Sequence, residues 1–166
     1  MKKALIVVDY QYDFVDPNGS LYVKDGEKLQ KPLLALINEY KNNNDLVIAT
    51  KDWHPAHHCS FEIWPPHCIQ NTKGSELYNL AESSFDKIIL KGTKLNADSY
   101  SGFFDDDHTS NGLDEYLKAN DVTELCIVGV ALDVCVSATL VDAIKLGYHG
   151  YVDLNLCVGI DNHIKF

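Results

Sequence analysis

Short apolar runs punctuate this chain, and the segments between them repeat with a different period. Ala4-Leu5-Ile6-Val7-Val8 is unbroken, as expected of a strand covered on both faces. Leu46 to Ala49, Lys87 to Leu90 and Leu125 to Val130 have the same character, and Tyr151 to Leu154 is a fifth strand candidate. From about residue 31 to 42, Leu33, Leu36, Ile37 and Tyr40 recur at helical spacing. Pro32 suits the first turn of that helix, where its missing N–H costs little, and Asn42-Asn43-Asn44 ends it. Leu113 to Leu117 predicts another helix. Val136, Leu140, Ala143 and Ile144 predict one more, with Gly147 as its left-handed cap. Ser75 to Ala81 reads as a short helix, whereas residues 51–74 are rich in His, Pro, Cys and Trp and have no clean period.

Strand–helix alternation of this kind predicts an α/β fold: a three-layer, doubly wound sheet, mostly parallel, with helices on both faces. The length, 166 residues, fits one domain spanning 1–166. With 46% hydrophobic and 23% charged residues the chain is no disordered polymer. Its net charge of −10 argues against a general nucleic-acid or membrane-surface binder, which needs basic excess. The run after Met1-Lys2-Lys3 is stopped by Asp9, too early for a secretory leader, and no stretch approaches a membrane span. The five cysteines, an odd number, then fit the reduced thiols of a soluble cytoplasmic protein.

Ligands in doubly wound sheets bind beyond the carboxyl ends of the strands, and three suggestive segments begin there. Asp9 follows the first strand; taken alone it reads as a helix or loop cap rather than a functional carboxylate. Lys51-Asp52-Trp53-His54 follows the second, with His57, His58, Glu62 and His67 close behind. Asp52 and His54, two apart in extended chain, project to one side, and a further His completes a carboxylate–imidazole set for Zn²⁺, Fe²⁺ or Mn²⁺. A structural zinc on Cys59 and Cys68 competes, but the paired CxxC knuckles of such sites are absent. After the fourth strand, Cys135 falls where a helix begins. There the helix dipole favours a thiolate and backbone N–H groups can receive an oxyanion. Cys126 and Cys157 read as inert. Lys91, after the third strand, adds a cation that could lower the Cys135 pKa and hold Asp9 charged, with Lys94 as its rival.

Five segments in this order resemble the nicotinamidase branch of the isochorismatase-like cysteine hydrolases. They are Val8-Asp9-Tyr10-Gln11-Tyr12-Asp13-Phe14, Thr50-Lys51-Asp52-Trp53-His54-Pro55, Trp64-Pro65-Pro66-His67-Cys68, Lys91-Gly92-Thr93 with Asp98 to Asp105, and Gly129 to Val136. The resemblance implies a catalytic triad of Asp9, Lys91 and Cys135 and a divalent metal on Asp52, His54 and His67. Zinc is the first expectation for that metal, with iron or manganese also suited, and Ser60, Glu62 or His58 is the candidate fourth ligand. It further implies Phe14 and Trp64 as aromatic walls of the substrate pocket with Tyr100 nearby. A cis peptide bond at Val130–Ala131 is implied as well, with an oxyanion hole formed by the Ala131 and Cys135 amides. The implied reaction is hydrolysis of nicotinamide to nicotinate and ammonia through a thioester.

Relatives continue beyond Cys157-Val158-Gly159-Ile160-Asp161 into a terminal helix, whereas five residues follow here. Two expectations follow: a sheet without that cover, whose apolar patch would favour self-association into a homo-oligomer or poor solubility, or a truncated or frame-altered sequence. Two rival readings accompany the first: an isochorismatase-like hydrolase acting on another small amide, and a non-catalytic metal-binding protein on the same fold.

Overall fold

Each of the five apolar runs becomes a strand in the computed structural model, which describes residues 2–166. The strands are β1 (Lys2–Val8), β2 (Leu46–Asp52), β3 (Lys87–Lys91), β4 (Val122–Val130) and β5 (His149–Val158). They pair in parallel in the order β3-β2-β1-β4-β5. Four helices accompany them: α1 (Tyr12–Val15), α2 (Gln30–Asn42), α3 (Leu113–Ala119) and α4 (Ser137–Lys145).

The pleat of β1 sorts its side chains between two cores. Leu5 and Val7 face α2, packing with Leu33, Ile37 and Tyr40. Ala4, Ile6 and Val8 face α3 and α4, packing with Leu113, Leu117, Leu140 and Ala143. Both faces of the sheet are thus covered, which is why Ala4 to Val8 alternates with no polar residue. In α2, Leu33 and Ile37 lie four residues apart and are fully buried. At about 1.5–3 kcal/mol per side chain, that pair outweighs the marginal intrinsic stability of a 13-residue helix. Gly147, at φ 93°, closes α4 in the left-handed conformation expected of it.

Two expectations change in detail. No helix forms over 75–81, because the segment is used as extended chain: Tyr12 N–H donates to Glu76 O, Tyr78 N–H donates to Tyr10 O, and Gln11 bridges Leu77. Leu77 and Leu80 enter the core from that loop. The strands also outrun their apolar letters. β2 continues through Lys51 and Asp52, which pair with Leu90 and Lys91 of β3. β5 spans His149–Val158, with a register irregularity opposite Ile127 to Gly129, and no helix follows it among the described residues.

The chain winds outward from β1 to β3 and then returns to the other side of β1 for β4. The carboxyl ends of β1 and β4 therefore flank the crevice where the winding reverses. Gly129 allows their close approach. Its φ is 117°, and a Cβ there would collide with the Val8 backbone, so only glycine fits.

Candidate active site

Three strand ends deliver the first group of side chains. Asp9 leaves β1 with φ 49°, Lys91 is the last residue of β3, and Cys135 lies in a π-helical turn, Leu132–Val136, between β4 and α4. Lys91 is fully buried, and its Nζ lies 2.8 Å from Asp9 Oδ2, 2.8 Å from Asp52 Oδ1 and 3.5 Å from Cys135 Sγ. It also donates to the carbonyls of Ser99 (2.7 Å) and Tyr100 (3.1 Å). One ammonium thus links three segments far apart in sequence. Lys94, its rival, sits half-exposed at the surface with Asp105.

The charges follow from this packing. Burial raises the Asp9 carboxyl to about 6, with Lys91 pulling the other way and Asp52 adding to the rise. Burial also pushes the Cys135 thiol well above its ordinary value, outweighing Lys91, and the Asp9 and Asp52 carboxylates reinforce it. Burial overrides the thiolate expected at a helix start, and Cys135 rests as a thiol beside a carboxylate able to take its proton. For Asp52 burial is overcome by Lys91, which holds the carboxyl well below its usual range. Burial disfavours the Lys91 cation, but Asp52 and Asp9 together raise it well above the ordinary lysine value.

Asp52, His54 and His67 form the second group, with one potential ligand atom each, all within 4.8 Å of one another. His54 Nδ1 lies 2.7 Å from Gly92 O and His67 Nδ1 lies 2.7 Å from Pro65 O. Both rings therefore donate from Nδ1 and turn the Nε2 lone pair toward Asp52 Oδ2, at 3.4 Å and 3.7 Å. Backbone carbonyls fixing the tautomer in this way are characteristic of metal-ligating histidines. His54 Nε2 is buried without a hydrogen-bond partner, an orphan that a cation would satisfy. One carboxylate and two neutral imidazoles fit a divalent metal ion.

The three candidates for a fourth ligand behave differently. Glu62 is exposed. His58 accepts from Ser60 N–H at Nδ1 and lies 3.0 Å from Ala97 O at Nε2, so both nitrogens are engaged, and its ring stacks on His54 at 3.9 Å. Ser60 is buried with Oγ against His58 Nδ1. A second cluster joins His54 and His58 to Asp98 rather than to Asp52. Neither Cys59 nor Cys68 joins a metal cluster among the described residues.

Asp9, Lys91 and His54 are fully buried, whereas Cys135 from the first group and Asp52 and His67 from the second line one cleft with an empty volume of about 560 Å³. Phe14, Trp64, Tyr100, Ala131, Asp52, His67 and Cys135, all expected, line it. Phe14 packs against His67 at 5.4 Å between ring centroids, and Trp64 Nε1 donates to Tyr100 Oη at 3.3 Å. The Val130–Ala131 bond is cis.

Several residues at the site carried no role in the sequence reading. Leu21, Val23, Val134 and Ile160 add apolar wall, and Asp98 adds a carboxylate. Thr50 Oγ1 donates to Asp9 Oδ1 at 2.7 Å. Thr139 Oγ1 donates to Cys135 O and accepts from Gly102 N–H, tying α4 to the Tyr100 loop. Gln11 is fully buried; its Oε1 accepts from Asp52 N–H (2.9 Å) and its Nε2 donates to Asp52 O (2.8 Å) and Ser75 O (2.9 Å). A polar residue two places past a strand-end carboxylate was the available signal. Gln11→Leu should lower zinc affinity by about 10–100-fold, as loss of such support typically does. Competition with a chromophoric chelator measures this, and an unchanged affinity would remove Gln11 from the metal site.

Known proteins resemble this chain over most of its length. The isochorismatase domain model matches residues 3–163. The nicotinamidase of Acinetobacter baylyi is 37% identical over 95% of this chain and 82% of its own. The L. infantum protein solved with nicotinate superposes with a TM-score of 0.90 at 37% identity, covering 96% of this chain and 82% of that one. The Pyrococcus horikoshii pyrazinamidase solved with zinc gives 0.87 at 39% identity, covering 97% and 88%.

Proposed function

The chain belongs to the isochorismatase family, and from that premise we propose a nicotinamidase, a metal-dependent cysteine amidohydrolase that converts nicotinamide to nicotinate and ammonia. The observation that carries the reading is that Cys135, Asp52 and His67 line one cleft, while buried Lys91 joins Cys135, Asp9 and Asp52 and buried His54 completes the Asp52 and His67 set. The five unpaired cysteines fit a reducing compartment such as the cytoplasm. Zinc is the proposed metal, in keeping with the zinc-bound P. horikoshii relative, with iron and manganese suited to the same donors.

In this mechanism Asp9 takes the thiol proton of Cys135 as the sulfur attacks the carboxamide carbon. The Ala131 and Cys135 amides, where the chain turns into its helix, hold the tetrahedral oxyanion. Asp9 returns the proton to the departing nitrogen, so ammonia leaves and a thioester remains. Water then gives a proton to Asp9 and its oxygen to the thioester carbonyl, and the released sulfur recovers the proton. Lys91 keeps Asp9 ionised and stays close to the sulfur throughout. Phe14 and Trp64 flank the flat ring. Asp52, His54 and His67 would hold the divalent metal, which when bound would supply a Lewis acid for the pyridine nitrogen.

Ammonia release from nicotinamide by the wild type and by His54→Ala tests the reading. The wild type should turn over, and His54→Ala should lose most of its kcat/KM and its bound metal. A folded, metal-loaded wild type that releases no ammonia would contradict it. The acid limb of the pH profile gives an independent check. Asp9 works as its carboxylate and takes up a proton near 6, so kcat/KM should fall about tenfold per pH unit below that value. A profile flat down to pH 4 would exclude Asp9 as the base.

A further inference from the structure

Asp133 stands two residues before the nucleophile, nearly buried, and plays no part in the chemistry above. Its carboxylate faces the segment that follows β5: Oδ1 accepts from Ile160 N–H at 3.0 Å and Oδ2 from Asp161 N–H at 2.9 Å. The fit is close. A Cβ built on Gly159 would lie 2.5 Å from Asp133 Oδ1 and 3.1 Å from Leu132 Cβ, so a side chain at 159 would push the two segments apart. A second tether runs from Lys165 N–H to Ser137 Oγ at 2.9 Å. Ile160 lines the cleft beside Tyr22, Val134 and Trp64, yet 63% of its surface is exposed. Its own packing is therefore too slight to hold it as a wall. The carboxylate clasp supplies what packing does not, since hydrogen bonds to an ionised acceptor are roughly twice as strong as neutral ones.

We propose that Asp133 is a positioning residue that fixes Ile160 as an apolar wall of the cleft, and so sets how tightly the pyridine ring is held and how large a ring substituent is admitted. The proposal rests on the nicotinamidase reading for its substrate, while the clasp itself is observable without turnover. In Asp133→Asn an amide NH₂ meets a backbone N–H and the clasp opens. Hydrogen exchange should then report lost protection at the Ile160 and Asp161 amides. KM for nicotinamide should rise about tenfold, the effect of one lost apolar contact, with kcat within about twofold. Ile160→Ala, an exposed truncation that leaves the core untouched, should raise KM alike and admit ring-alkylated nicotinamides that the wild type rejects. The double variant should be no worse than either single one, since both remove the same wall. Three results would overturn the proposal: protection lost with KM unchanged, kcat falling at constant KM, or KM effects that multiply in the double variant. A wild type inactive on nicotinamide would defeat the functional reading instead, with the exchange result still standing.

Discussion

Cys135→Ala should release no ammonia from nicotinamide above background, a loss of about 10⁵-fold or more, while binding zinc as well as the wild type does. The size of the loss follows from the role: the sulfur is the atom that bonds to carbon, and no neighbour can replace it. Cys59 lies beside His58, Cys68 contacts Gly74 O, and Cys126 and Cys157 sit in β4 and β5. Retained zinc affinity follows from the layout, because Asp52, His54 and His67 make no hydrogen bond to the thiol. Steady-state ammonia release with a zinc titration of the same preparation checks both halves. Ammonia release within tenfold of the wild type would rule out Cys135 as the nucleophile.

Lys91→Met should damage both activity and folding. Methionine fills similar space but leaves the Asp9 and Asp52 carboxylates, 1% and 6% exposed, without their shared cation. Removing one partner of a buried ion pair costs about 3–5 kcal/mol, because the remaining charge is stranded away from water. The pH dependence distinguishes this cause from simple misfit. Without Lys91 the two carboxyls bind protons more tightly in the folded than in the unfolded chain. Stability of the metal-free variant should therefore rise relative to wild type as pH falls from 7 toward 5, where these carboxyls become neutral. With Lys91 gone the Asp9 carboxyl holds its proton more tightly still and is the ionised base in fewer molecules, so kcat/KM should fall about 10³-fold or more even in molecules that stay folded. Urea titrations at pH 5 and pH 7 measure the stability difference. A deficit independent of pH would mean that Lys91 acts by packing alone.

Hydropathy located the five strands because a sheet covered on both faces needs continuous apolar runs, and Ala4 to Val8 or Leu125 to Val130 can satisfy nothing else. It misplaced their ends for the same reason. Lys51, Asp52 and Lys91 break the apolar pattern and yet remain in the β2–β3 ladder. Backbone pairing carries the strand on after side-chain burial has changed character, and that extension brings Asp52 within 2.8 Å of Lys91. The helix expected over 75–81 failed because Glu76, Leu77 and Tyr78 pair with residues 10–12, which the local sequence cannot reveal. Family resemblance named the expected reactive residues and metal set; of these Cys135, Asp52 and His67 line one cleft, and Asp9, Lys91 and His54 are buried. Gln11, Thr50 and Asp133 escaped notice because their work is done by hydrogen bonds spanning 27 to 64 residues. The helix start before Cys135 was legible in the letters, whereas the full burial that pushes its thiol up was not.

The most direct test is to quench the enzyme with acid during turnover of nicotinamide and map the covalent adduct by peptide mass spectrometry. The account predicts one nicotinoyl group, attached as a thioester to Cys135 and absent from Cys135→Ala. Steady turnover with no adduct at any stage of a rapid-quench series, or an adduct on a different side chain, would contradict it.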